Sequence, residues 1–115
     1  MAMKADESGS SVRRFGFRAP RVSTNFSFSL EVIATGERYD AVCTDISEDG
    51  LAAELLQPLP PCTQVRMRML LPGGTLPLLI PGSVEYTQDR RCGLNFLYSN
   101  PEERKQVQAF IQSIS

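Results

Sequence analysis

Two short stretches of the chain gather side chains that can do chemistry. Arg13-Arg14-Phe15-Gly16-Phe17-Arg18, with Arg21 close behind, places guanidinium groups four residues apart at Arg14 and Arg18. Gly16 within it and Pro20 after it argue against a stable helix. Guanidinium forks match phosphate oxygens and the O6/N7 edge of guanine, each through paired hydrogen bonds, and they stack on base faces. The second stretch, Asp45-Ile46-Ser47-Glu48-Asp49-Gly50, has the form D-x-S-x-x-G and reads as a polar turn between strands. An ionised Asp45 accepts hydrogen bonds only, which suits the N1–H and N2–H donors on guanine's Watson–Crick edge. Ser47 can donate or accept, and Gly50 permits a positive φ or a close ligand approach. Each stretch alone has a plainer reading: a solvated basic tail for the first, and for the second a turn whose Asp and Ser satisfy their own backbone.

Charge sharpens the choice. The 115 residues hold 12 Lys+Arg and 13 Asp+Glu, a formal net charge of -1. Residues 1–21 carry five basic and two acidic side chains, net +3, and the rest carry seven and eleven, net −4. A basic arm on an acidic body suits a small anion better than a nucleic acid polymer. The chain has no histidine, which removes Ser/His and Cys/His nucleophilic pairs and imidazole metal sites. Cys43, Cys62 and Cys92 are odd in number and lack a C-x-x-C spacing, so no metal site or redox pair is expected and a reducing compartment is. The first ten residues lack an apolar leader, and the longest apolar run, Leu76 to Ile80, is far shorter than a membrane helix. The expectation is a cytoplasmic protein with no membrane insertion, no metal, no cofactor and no fused effector module. An enzyme would have to work with carboxylates alone, and Asp45, Glu48 and Asp49 crowd one tight turn better suited to recognition.

The elements that must position these groups follow from hydrophobic period. Phe26, Phe28, Leu30, Val32 and Ala34 alternate with Asn25, Ser27, Ser29 and Glu31, giving a strand over 25–34. Thr35-Gly36-Glu37 turns the chain into a return strand over 39–44, and Leu51 to Leu55 alternates as a third strand. Val65, Met67, Met69 and Leu71 make a fourth; Leu76 to Tyr86, interrupted at Pro81-Gly82, a fifth; Arg91 to Leu97 a sixth. The period then changes. Asn100 caps, Pro101 and Glu103 complete the start of a helix, and Val107, Phe110, Ile111 and Ile114 form one stripe. The fold class is all-β: a small barrel with a C-terminal helix over an opening or a flank, preceded by a tail over residues 1–12.

Arg-rich R-R-x-x-x-R, then D-x-S-x-x-G about 30 residues on, then Cys92-Gly93-Leu94-Asn95-Phe96 and a helix opening Pro101-Glu102-Glu103, together resemble the PilZ domain. The resemblance runs from Arg13 to about Ile114 and makes residues 13–115 one domain. It implies a six-stranded antiparallel barrel that binds cyclic di-GMP, with Arg14 and Arg18, Asp45, Ser47 and Gly50 at the matching positions. Arg13 matches the residue before R-x-x-x-R, where a basic side chain accompanies a stacked ligand pair in similar domains. The function so implied is a receptor whose arginine arm changes conformation on binding and signals to a downstream protein partner. The alternative is an adaptor of the same fold that acts through protein contacts without ligand.

Overall fold

The computed structural model describes residues 20–74 and 77–114. Six strands, β1 (Val22–Val32), β2 (Arg38–Ile46), β3 (Gly50–Glu54), β4 (Gln64–Met69), β5 (Leu78–Gln88) and β6 (Arg91–Phe96), precede one helix, α1 (Pro101–Ile114). They close into a barrel in the order β1-β2-β3-β6-β5-β4, and every neighbouring pair is antiparallel. The all-β expectation, six strands and a terminal helix, is borne out.

Alternation explains why the strands form. Phe26, Phe28, Leu30 and Val32 turn inward from β1, and Val65, Met67 and Met69 from β4, while Ser27, Arg66 and Arg68 stay exposed. With Ile46, Leu51, Ile80, Val84 and Leu94 they make one continuous core. Burying each such side chain contributes roughly 1.5–3 kcal/mol against the cost of ordering the chain. Val107 and Phe110 seat α1 on this core, where Phe110 meets Phe26 edge-on with ring centroids 5.7 Å apart. Asn100 Oδ1 accepts the Glu103 N–H at 3.0 Å, and Glu103 Oε1 accepts the Ser99 N–H at 2.7 Å, so the expected cap starts the helix. Ile111 is only partly buried, and Ile114 lies at the exposed fringe of the stripe.

The structure corrects several boundaries. The first strand begins at Val22 rather than Asn25, and Ala34 is exposed in the hairpin turn instead of lining the core. The third strand does not alternate, because Gly50 through Ala53 are all buried. The fifth runs unbroken to Gln88 through Pro81-Gly82. Pro81 stands opposite Arg66, and its carbonyl still accepts the Leu97 N–H at 2.8 Å. Gly82 is there because β6 passes close: an added Cβ would lie 2.5 Å from the Asn95 carbonyl oxygen.

Three register shifts set which residues the barrel presents on its outer face. They fall between Ser23 and Phe26 in β1, Cys43 and Asp45 in β2, and Val84 and Tyr86 in β5. A bulge reverses the inward–outward phase of the residues beyond it. Ala41 and Cys43 face inward, so strict alternation would also turn Asp45 into the core; the extra residue, Thr44, turns it out. Glu85 does the same for Tyr86, which follows inward-facing Ile80, Gly82 and Val84.

Candidate functional site

Asp45 and Ile46 belong to β2, not to the turn assigned to them from sequence; the turn itself is Ser47–Asp49, and Gly50 opens β3. Ser47 is nearly fully buried and holds this turn together. Its N–H donates to the Gly50 carbonyl at 2.8 Å, and its hydroxyl accepts the Asp49 N–H at 3.1 Å and donates to Gly50 O at 3.4 Å. The turn is pinned from outside as well. The Phe96 N–H donates to Asp49 O at 2.8 Å, and the Tyr98 hydroxyl to Glu48 O at 2.6 Å. Burial pushes the Tyr98 hydroxyl well above the usual phenol range, so it remains a donor. The Glu48 carboxylate accepts from Arg104 Nη1 and Gln108 Nε2, each at 3.1 Å, and ties the turn to α1.

Gly50 does not have a positive φ; its lack of a side chain serves a close backbone approach instead. A Cβ there would lie 2.1 Å from the Leu94 carbonyl oxygen of β6. A depression of about 40 Å³ opens beside it, lined by Arg21, Ser47, Asp49, Gly50, Glu85, Leu94 and Asn95.

Asp45 lies at one end of a row that crosses four strands. It stands opposite Ala52 on β3, Ala52 opposite Gly93 on β6, and Gly93 opposite Tyr86 on β5. Two small residues, both buried, thus separate the carboxylate from the aromatic ring along this row. The Tyr86 ring covers Gly93 so closely that a Cβ there would lie 2.2 Å from a ring carbon. Two guanidiniums converge on Asp45: Arg91 Nη2 is 3.0 Å from Oδ2, and Arg21 Nε is 3.1 Å from Oδ1. Hydrogen bonding by the Tyr86 side chain raises the Arg91 pKa, so its charge is fixed. Arg21 faces Oδ1 as an ion pair whose N–H is not directed at it, and that buried oxygen accepts no hydrogen bond among the described residues. The arrangement offers an acceptor, two cations and the partly exposed Tyr86 ring, a combination chemically suited to an anionic, aromatic, hydrogen-donating ligand.

The profile of the PilZ domain family matches residues 12–113. The chain belongs to the PilZ family. Solved structures agree on the fold. The PilZ domain of CeSA from a cellulose-synthesising bacterium superposes with a TM-score of 0.70 at 18% identity, covering 83% of this chain and 97% of that one. The PilZ domain of YcgR from Escherichia coli, solved with c-di-GMP, gives 0.69 at 16% identity over 87% and 92%. The MrkH–c-di-GMP complex of K. pneumonia gives 0.68 at 19% identity, covering 89% of this chain and 52% of that one. No curated protein matches the sequence.

Of the residues singled out in this PilZ domain, Asp45, Ser47 and Gly50 lie together at the β2–β3 corner. Arg13, Arg14 and Arg18 lie outside the described residues. Sequence reasoning had no role for Arg91 or Tyr86 and left Arg21 unassigned. Arg91 is 46 residues from Asp45, and only the barrel's register brings the two together. Arg21 carried a signal, since it continues the arginine run into the first strand. Among the described residues no group of His, Cys, Asp and Glu is placed to hold a metal, and no helix is long and apolar enough to cross a membrane.

Proposed function

We propose that this protein is a receptor for cyclic di-GMP that binds the ligand on the outer face around Asp45 and closes an arginine arm over it. The observation that carries the reading is the Asp45 carboxylate, turned outward by a bulge and flanked by Arg21 and Arg91, with one oxygen that accepts no directed hydrogen bond among the described residues. Guanine's N1–H and N2–H are donors matched to an ionised carboxylate, and its ring system can stack on the partly exposed Tyr86 ring or on the Arg21 and Arg91 guanidiniums. Ser47 and Gly50 serve by fixing the corner that presents Asp45. Two PilZ structures of similar fold, from YcgR and MrkH, were solved with c-di-GMP, which supports the same ligand class here.

The arm follows from chain reach. Arg18, Arg14 and Arg13 precede Arg21 by three, seven and eight residues. At up to ~3.6 Å per residue these spans reach roughly 11, 25 and 29 Å, enough to meet a ligand beside Asp45. An Arg–phosphate contact at ~4 Å contributes roughly 4 kcal/mol at an effective dielectric of ~20, before desolvation and the ordering of the arm are subtracted. Closure then changes the surface shown to a downstream protein, with no chemical step on the ligand.

Titration calorimetry with cyclic di-GMP tests the reading. Wild type binds at micromolar concentration or tighter; Arg14→Ala/Arg18→Ala and Asp45→Ala each weaken binding at least tenfold while circular dichroism is unchanged. No heat with wild type, or undiminished binding in both variants, would sink it. The second reading, a ligand-independent adaptor, rests on one observation: the Ser47 hydroxyl already satisfies its own turn. A silent wild-type titration, with a captured partner indifferent to cyclic di-GMP, selects it.

A further inference from the structure

β2 is longer than the strand that covers its outer edge. It pairs with β1 from Arg38 to Ile46 but with β3 only from Val42 onward. The Glu37 carbonyl accepts the Val32 N–H at 2.8 Å, so odd-numbered residues of this segment address β1. By the alternation of an antiparallel ladder, Arg38 and Asp40 direct their backbone N–H and C=O groups the other way. Among the described residues no strand takes them up. Beyond Glu54 the chain leaves β2, since the Leu55 N–H donates to Arg90 O. A groove of about 540 Å³ lies along the gap, with Asp40, Val42, Glu54 and Leu56 on its wall. Leu56 is 84% exposed.

From this edge we infer that the protein forms a two-fold homodimer by pairing Arg38–Asp40 of one copy with the same residues of another. The charges select a second copy as the occupant. In an antiparallel pair centred on Tyr39, Arg38 falls opposite Asp40 of the other copy, and Asp40 opposite its Arg38. Both are hydrogen-bonded positions, so the pairing satisfies four backbone bonds and sets two opposite-charge neighbours on the outer face. Both side chains are exposed, and Glu31, which faces Arg38 within the barrel, is already engaged by Arg66 at 3.7 Å. The symmetry is isologous and closed, so it ends at two copies. Arg38 is seven residues along β2 from Asp45, roughly 23 Å at ~3.3 Å per residue, which leaves the Asp45 face open in both copies.

Light scattering coupled to gel filtration, on the full chain without ligand at about 100 μM, tests the dimer independently of cyclic di-GMP. Wild type elutes with twice the 12.7 kDa chain mass. Asp40→Arg and Arg38→Asp each set like charges face to face and shift the mass to one chain. The double variant Arg38→Asp/Asp40→Arg restores the complementary pairs and the dimer. Circular dichroism confirms that each variant is folded. A monomeric wild type, a dimer indifferent to either single reversal, or a double variant that stays monomeric while folded overturns the inference.

Discussion

A carboxylate flanked by two guanidiniums is ordinarily satisfied, yet among the described residues one oxygen of Asp45 is buried without a directed hydrogen bond. Its partners are half exposed, at 42% for Arg21 and 49% for Arg91, so the pairs contribute at most about 1 kcal/mol to folding. Asp45→Asn should therefore leave the urea midpoint nearly unchanged while weakening cyclic di-GMP at least tenfold, a loss of about 1.4 kcal/mol. Equal losses in both measurements would give Asp45 a purely structural role. Gly50→Ala is the reverse case. Its Cβ would meet the Leu94 carbonyl at 2.1 Å, and β6 cannot retreat without opening the barrel. The expected cost is on the order of 1–3 kcal/mol in urea melts, at a position with no positive φ. Cysteines separate as sharply. Burial pushes the Cys43 thiol up to about 12 and the Cys92 thiol to about 11, while Cys62 is exposed. Iodoacetamide at pH 8 should label Cys62 alone in native protein and all three in denaturant, read by intact mass.

At the scale of elements, the strands announced themselves where one face is apolar, as in β1 and β4, and α1 through its cap and stripe. Asn100→Ala removes the acceptor for the Glu103 N–H and should cost about 1 kcal/mol, measured by urea denaturation. The turn at Ser47–Asp49 was legible because Ser47 and Asp49 carry local hydrogen-bonding signals and a glycine, Gly50, follows them. The bulges were not. Nothing in the composition of Thr44 or Glu85 marks an extra residue; the shift exists only relative to the partner strand. For that reason Asp45 was assigned to a loop and Tyr86 to an ordinary strand end. Pro81 misled in the opposite sense, since it stays within β5 opposite Arg66 while its carbonyl still takes a partner.

For the whole molecule, barrel closure creates the candidate site, because it brings residues 21, 45, 52, 86, 91 and 93 onto one face. A linear reading could supply Asp45 but not Arg91, whose relation to it requires β3 and β6 to be neighbours. The closed core also fixes how stability depends on pH. Cys43 and Cys92 ionise near 9.0 once exposed and only near 12 and 11 when folded. Between those values the unfolded chain has lost protons that the folded chain keeps, so stability falls as pH rises through the window. Burial of Tyr98 acts with the same sign. Urea melts from pH 8 to 11 should show this decline, with a shallower slope in Cys43→Ala/Cys92→Ala; an unchanged slope would mean the thiols do not carry it.

Two of the three register shifts, those at Thr44 and Glu85, make the chemistry of the outer surface a matter of parity. Whether Asp45 and Tyr86 meet solvent depends on an odd or even count of residues before them, not on their identity or on any neighbour they touch. Such a surface is robust to substitution along the strand and brittle to insertion or deletion. Loss of Thr44 alone would send a carboxylate toward the core and erase one end of the row, while most of the barrel's side chains stayed as they are.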